Sequence, residues 1–228
     1  MPPSTETARL ALALLVVASL VAVPAAVDAR APAQAVCGVC TDQLDDAAAD
    51  RGVALERASS DLTIRVAENG STRWTAHVTL AQGAEALRND SLREAVVADA
   101  RRRTVADPGA VASRVDDDTL VVSYRVDGAT ERETGVLLFT AFHENGPVVP
   151  FAMGGPGPIY LGADAVALHA PEGRAVAGDD GRADGSTGDV HWTGAETGID
   201  RSTVVAFVPE NAAFPGVRAG VARLLFRL

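Results

Sequence analysis

Residues 61–80 read DLTIRVAENGSTRWTAHVTL, and this stretch decides the fold. Period-2 alternation of apolar and polar residues over this length is typical of β-strands with one buried face. The Asn-Gly pair between the two alternating runs is a common turn sequence. The stretch therefore predicts a β-hairpin whose buried row is Leu62, Ile64 and Val66 on the first strand and Trp74, Ala76, Val78 and Leu80 on the second.

The loop length follows from the register of the two strands. A two-residue loop at positions 69–70 would place Ile64 opposite a polar residue, so the two apolar rows would lie on opposite faces. A three-residue loop at positions 68–70 places Ile64 opposite Trp74, and both rows then share one face. We therefore predict the three-residue loop, with Gly70 in the left-handed conformation.

The composition indicates an acidic, arginine-only protein. The chain has 228 residues, 30 of them acidic and 20 basic, and a net charge of −10; it contains no lysine. An acidic surface of this kind keeps proteins hydrated and soluble in high salt, which predicts a halophilic source. The same acidity predicts that nucleic acid is not a partner, because nucleic-acid binding requires a basic surface.

The first residues have the pattern of a targeting segment. Arg9 precedes an apolar run over residues 10–23, and Ala-Gln-Ala at 33–35 offers a cleavage site for a signal peptidase. The apolar run to residue 27 is at the lower limit for a membrane span. We predict that residues 1–35 are a signal peptide or an N-terminal membrane segment. The protein is then exported, either released or anchored to the outer face of the cytoplasmic membrane.

The rest of the chain is divided into two parts. Residues 36–60 are polar and alanine-rich and are expected to form a linker or a short helix. Residues 61–228 are expected to form a single exported β-rich domain. After the hairpin, a helix is predicted from Ser91 to about residue 105, because Ser91 and Glu94 match a capping box; Asp90 is the alternative cap.

Further strands are predicted beyond this helix. Residues 119–126 and 135–142 are strand-like, and a hairpin across 129–134 is the simplest connection between them. Residues 211–228 have a helical apolar stripe flanked by arginines, which could pack on the sheet or lie at a membrane surface. The predicted class is mainly β (α+β): an antiparallel sheet or sandwich of β-hairpins, with one helix after the first hairpin and a short C-terminal helix.

Two cysteines follow the targeting segment, Cys37 and Cys40 in VCGVC. In an oxidising compartment they are a candidate for a local disulfide. The C-x-x-C spacing is also that of thiol–disulfide exchange motifs, although no strand-and-helix context precedes it. A structural pair, a redox module and a metal-binding pair therefore remain open.

Candidate metal ligands are few and scattered. A zincin motif is absent, because the fourth residue after His143 is proline. Counted from Asp180, the acidic glycine-rich stretch 178–189 departs from the Ca²⁺-binding loop of an EF-hand, because Arg182 occupies the third position and His191 the twelfth. No cofactor and no catalytic residue is predicted. The candidates for a metal site, with Ca²⁺ as one possible ion, are His143, Glu144, His169, His191, Asp180, Asp184 and Asp189.

Asn69-Gly70-Ser71 and Asn89-Asp90-Ser91 match the N-glycosylation sequon. Asn69 lies in the predicted turn and Asn89 at the predicted helix start. Both are therefore expected to be exposed.

The signal peptide, the acidic lysine-free body and two stretches, TIRVAENGSTRWT at 63–75 and WTG…VVAFVPENAAFPGVR at 192–218, resemble uncharacterised exported proteins of halophilic archaea. The resemblance implies a mainly β ectodomain, often with a membrane anchor at one end, and no catalytic residues. The leading hypothesis is an exported cell-envelope or secreted domain that acts as a non-enzymatic structural or binding module. The alternatives are an exported metal-dependent enzyme or metal-binding protein, and a redox module at Cys37 and Cys40.

Overall fold

The computed structural model describes residues 32–101, 110–144, 157–177, 183–184 and 188–228. Strands make up 41% of the structure and helices 22%, which confirms the mainly β, α+β class. The helices are α1 (Asp42–Ala49), α2 (Asp90–Ala100) and α3 (Pro215–Phe226). The strands are β1 (Gln34–Ala35), β2 (Glu56–Val66), β3 (Thr72–Gln82), β4 (Val111–Asp116), β5 (Thr119–Val126), β6 (Thr130–Glu133), β7 (Val136–Phe139), β8 (Ile159–Tyr160), β9 (Ala165–His169), β10 (Arg174–Val176), β11 (Ala183–Asp184), β12 (Asp189–Thr193), β13 (Gly198–Ile199) and β14 (Val205–Pro209).

The predicted hairpin is formed by β2 and β3 and occupies the centre of the largest sheet. Ile64 lies opposite Trp74, as predicted. The Ala67 N–H donates to the Ser71 carbonyl at 2.8 Å, and Gly70 has a φ of 86°. The three-residue loop with a left-handed glycine is therefore confirmed.

The largest sheet has seven strands in the order β11-β12-β9-β2-β3-β5-β4. All neighbours are antiparallel except β2 and β9, which are parallel. Because successive side chains of a strand point to opposite faces, one face of this sheet is apolar and the other is polar. The apolar face is buried in the main core.

A second sheet, β10-β14-β7-β6, covers part of that apolar face. Trp74 is fully buried between the two sheets, and its ring lies 5.9 Å from Tyr124, 6.3 Å from Phe139 and 6.2 Å from Phe142 between centroids. α1 and α2 pack on the same core. α3 packs on the other face of the second sheet, against β7 and β14. The order of layers is therefore large sheet, small sheet, α3.

Two sequence expectations about the middle of the chain are wrong. β5 does not form a hairpin with β7: β5 pairs with β3 and β4, while residues 130–133 are a strand, β6, that pairs with β7 in the other sheet. The N-cap of α2 is Asn89, whose side chain accepts a hydrogen bond from the Leu92 N–H at 3.0 Å, and neither Ser91 nor Asp90. Three successive residues in Asn89-Asp90-Ser91 favour the cap position, so sequence alone did not distinguish them.

Residues 36–60 were expected to form a linker or a short helix, and the structure has the helix. The segment contains α1 and the first half of β2, and Leu44, Ala47 and Ala48 of α1 are buried in the main core. The expected boundary after residue 35 also falls inside the fold. Gln34 and Ala35 form β1, are fully buried and pair with β8. Cleavage after Ala35 would remove this strand, so the folded domain includes residues upstream of position 36.

Candidate functional site: the open face of the large sheet

The polar face of the seven-stranded sheet carries most of its charged side chains in cross-strand rows. The buried residues of β2, β3 and β5 alternate with residues that point to this open face. Residues directly opposite each other on neighbouring strands have Cβ atoms about 4.5–5.5 Å apart and interact directly. The residue types in each cross-strand row therefore determine which ligands the face can bind.

One row brings three arginines together. Arg65 of β2 lies opposite Arg73 of β3, and Arg73 lies opposite Arg125 of β5. All three side chains are exposed. Because neighbouring strands are about 4.8 Å apart, the row of guanidinium groups extends over about 10 Å. We call Arg65, Arg73 and Arg125 the arginine row.

The arginine row is poorly neutralised. Arg125 forms an ion pair with Asp127 at 3.0 Å, but both side chains are more than half exposed, and such pairs contribute little. Arg65 and Arg73 have no ion pair or hydrogen bond with any side chain in the part of the chain that the structure describes. Like charges directly opposite each other on a sheet are destabilising. In an acidic protein, three adjacent arginines with only one exposed ion pair among them are unusual.

Apart from Asp127, two acidic side chains near the row, Asp189 and Glu68, are engaged elsewhere. Asp189 pairs with His169, Nδ1 to Oδ2 at 3.0 Å, at the end of the same cross-strand row. Glu68 pairs with Arg174 at 3.1 Å, beside the hairpin loop. These pairs hold carboxylates away from the arginine row, which stays open to solvent.

A depression of about 250 Å³ lies between the arginine row and the hairpin loop. Its lining consists of the three arginines together with Val66, Ala67, Ser71 and Thr72. Guanidinium groups donate hydrogen bonds in a planar fork that matches the oxygens of carboxylate, sulfate and phosphate. The depression therefore has the donors of an oxyanion site.

A larger depression, about 330 Å³, lies at the other end of β2. Its polar groups already bind one another: the Arg57 guanidinium contacts both carboxylate oxygens of Asp45, and the Ser60 N–H donates to Asp164 Oδ2 at 2.8 Å. These contacts tie β2 to α1 and to the loop before β9. The groups serve the fold and leave little bonding capacity for a ligand.

The candidate metal ligands do not come together among the described residues. His143 is buried and packs edge-to-face on Phe226 of α3, with ring centroids 4.9 Å apart, and Glu144 next to it is exposed. His169 and His191 lie instead on the open face of the large sheet. Asp184 is in β11 opposite Asp189, and Asp180 lies outside the described residues. Within that part of the chain, no group of three His, Cys, Asp or Glu side chains is placed to hold a metal ion.

Cys37 and Cys40 form a disulfide, with Cα atoms 5.3 Å apart. Both residues are at most 2% exposed and belong to the main core. Thiol–disulfide exchange requires access of an attacking thiolate to a sulfur atom. The burial therefore favours a structural role and gives no support to a redox module.

The two sequon asparagines are both exposed. Asn69 accepts hydrogen bonds from the Ser71 N–H and hydroxyl at 3.0 and 2.8 Å, and Asn89 caps α2. Their accessibility agrees with the expectation from sequence, and glycosylation at either site stays a prediction.

The arginine row was not found from sequence. The hairpin register already placed Arg65 opposite Arg73, so two members could have been found by reading the polar row of that hairpin. Arg125 could not, because the sequence pointed β5 towards β7 and not towards β3. Compared with known proteins, the sequence matches no protein-family model and no curated protein.

Proposed function

We propose that this chain is an exported cell-envelope or secreted binding module and not an enzyme, and that its arginine row binds an oxyanion-bearing ligand. The observation that supports the proposal is the row itself. Three guanidinium groups repel one another directly on an exposed sheet face, in a chain with a net charge of −10. A bound anion removes that repulsion.

The spacing of the row favours an extended ligand with several oxyanions. A single sulfate or carboxylate occupies one guanidinium fork, whereas the row offers three forks over about 10 Å. We infer that the ligand class is an acidic polysaccharide bearing sulfate or carboxylate groups. Single-stranded nucleic acid is the weaker candidate, because the open-face positions of β2, β3 and β5 hold no Trp, Tyr or Phe on which bases could stack.

Export has its own support. The apolar run 10–23 is typical of a targeting segment, and the disulfide is typical of an oxidising compartment. An acidic polysaccharide is a ligand that an exported domain can meet. Residues 1–31 lie outside the described residues. Whether they anchor the protein to the membrane is therefore part of the proposal.

The test is the affinity for dextran sulfate, measured by isothermal titration calorimetry. Arg73→Gln removes the middle arginine, and we expect about tenfold weaker binding, equivalent to about 1.4 kcal/mol for a lost charge-assisted contact. Arg114→Gln is the matched control. Arg114 lies on the same sheet, is exposed and has its own ion pair with Asp116 at 2.8 Å. Arg114→Gln makes the same charge change outside the arginine row, and we expect it to change the affinity for dextran sulfate by less than twofold.

A stability measurement separates a binding role from a structural one. Because Arg73 is repelled on both sides, Arg73→Gln should leave the free energy of unfolding unchanged or raise it by a few tenths of a kcal/mol. Equal loss of dextran sulfate binding in Arg73→Gln and Arg114→Gln would mean that only net charge matters, and the proposal would fail. Tighter binding of an oligonucleotide than of dextran sulfate at equal charge would identify nucleic acid as the ligand instead.

A further inference from the structure

The C-terminal helix α3 turns its large apolar side chains away from the protein. The large hydrophobic residues that are exposed within the described residues all belong to α3 and its two flanking positions: Phe214 (79% exposed), Val217 (66%), Val221 (46%), Leu224 (62%), Leu225 (40%) and Leu228 (95%). At 3.6 residues per turn, the four of these positions that lie within the helix fall within an arc of about 100°, and Phe214 and Leu228 lie at its two ends. They form one continuous stripe, which we call the outer stripe.

The orientation of α3 is fixed by the opposite side of the helix. Ala219 and Ala222 are fully buried against β7 and β14. Arg223 donates to the carbonyls of Val204 and Ala177, both at 3.1 Å. Two alanines and Phe226 therefore face the protein, whereas the other large apolar residues of α3 face outward, unlike an ordinary surface helix that buries its apolar stripe. Rotating the helix to bury the outer stripe would break these contacts.

The charge of this segment differs from that of the rest of the chain. Residues 211–228 contain three arginines and no acidic residue, whereas the whole chain has a net charge of −10. Arg218 and Arg227 are exposed beside the outer stripe. A second copy of the chain docked on the same stripe would bring these arginines together without any carboxylate of the segment to neutralise them. An anionic partner is complementary to them.

We propose that α3 docks on an anionic lipid bilayer, with the outer stripe in the interfacial region and Arg218 and Arg227 among the headgroups. An apolar stripe flanked by arginines is the pattern of helices that lie in the plane of a membrane interface. No helix among the described residues is long and apolar enough to cross a bilayer, so the docking is peripheral. The inference is independent of ligand binding at the arginine row.

The test uses the full chain and a readout local to α3, because residues 10–27 are also apolar. A polarity-sensitive fluorophore is attached through Val221→Cys, or through Arg114→Cys on the large sheet as the control; the native cysteines are in the disulfide. Vesicles contain phosphatidylcholine alone or with an equal part of phosphatidylglycerol. We expect a blue shift of the α3 label on the phosphatidylglycerol vesicles and none for the control label.

Two substitutions in the labelled protein test the two parts of the surface. Leu224→Ser should raise the lipid concentration at half-maximal shift about tenfold, because it removes apolar surface from the contact. Arg218→Gln should raise it about fivefold, on phosphatidylglycerol vesicles only. Leu224 is exposed, so its substitution should leave the melting temperature unchanged, which is measured in parallel. Arg114→Gln, a charge change on the edge strand β4 of the large sheet, should have no effect.

Three results would overturn the proposal. The first is the absence of a blue shift on phosphatidylglycerol vesicles, and the second is an equal shift in the Leu224→Ser variant. The third is a dimeric mass without lipid that becomes monomeric in Leu224→Ser, which would assign the outer stripe to a second copy of the chain.

Discussion

The turn of the central hairpin gives the sharpest test of the fold, through Gly70→Ala. Gly70 has a φ of 86°, and a Cβ atom there would lie 2.6 Å from Thr130 Oγ1. That hydroxyl donates to the Gly70 carbonyl at 2.5 Å, so the turn of the large sheet is tied to β6 of the small one. The methyl group therefore forces the Thr130 side chain to move and breaks this hydrogen bond.

The expected magnitude is the sum of two effects. A non-glycine residue at positive φ costs about 1 kcal/mol. Loss of the hydrogen bond from Thr130, with the accompanying displacement, costs about 1–2 kcal/mol more. Gly70→Ala should therefore destabilise the protein by about 2–3 kcal/mol. For a folded region of this size, that lowers the melting temperature by about 4–12 °C.

The chain contains a matched control for the backbone effect. Gly128 has a φ of 75° in another turn, and a Cβ atom there would meet nothing within 4 Å. Gly128→Ala should cost only about 1 kcal/mol. The assay is urea denaturation followed by the fluorescence of Trp74 and Trp192, both of which are buried.

A double-mutant cycle identifies the contact itself. Thr130→Ala removes the hydroxyl that the new methyl group meets, so Gly70→Ala should cost only about 1 kcal/mol in that background. If Gly70→Ala costs no more than Gly128→Ala, or costs the same with and without Thr130→Ala, the contact between the two sheets at this turn is not what the geometry implies.

Two further substitutions test the helix cap and the core. Asn89→Ala should destabilise the protein by about 1 kcal/mol through loss of the α2 cap, whereas Ser91→Ala should change stability by less than about 0.5 kcal/mol. Both substitutions remove the same sequon. Equal losses of stability would therefore point to a glycan or to a different cap. Burial raises the pKa of Tyr124 well above its ordinary value of about 10, and the nearby Arg101 guanidinium lowers it by less. The unfolded chain therefore loses the Tyr124 proton first, and stability should fall above pH 10 by up to about 1.4 kcal/mol per pH unit. The urea midpoint should fall between pH 9 and pH 11 in the control variant Tyr160→Phe, and should fall less in Tyr124→Phe, which lacks the titrating hydroxyl. An equal fall in both variants would refute the assignment to Tyr124.

Local sequence patterns predicted the elements well and their partners poorly. The register of β2 and β3 could be derived because two apolar rows joined by a short loop can share a face in only one way. The pairing of β2 with β9 joins residues about a hundred positions apart, and no local pattern encodes it. β4 was not expected, because VASRVD is short and half polar, as suits an edge strand whose side chains are at least partly exposed.

The early part of the chain was only partly predicted, for a different reason. Its polarity left a linker and a short helix open, and Leu44, Ala47 and Ala48 have the i, i+3, i+4 spacing of a buried helical face. Alanine side chains are small, so they contribute little hydrophobicity to the pattern of that face. The arginine row escaped prediction for a similar reason: each arginine looked like an ordinary polar position, and only the pairing of three strands brought them into one row.

The parallel pairing of β2 with β9 has a consequence for the order in which the chain is synthesised. β2 and β3 can form their hairpin early, but the other side of β2 has no neighbour until residues 165–169 have been made. β1 waits similarly for residues 159–160. Pairing over such separations is slow, and an open strand edge can recruit other chains in the meantime. Charged residues on an edge discourage such recruitment, so we expect Arg65, which lies on β2, to limit aggregation of the unfinished sheet.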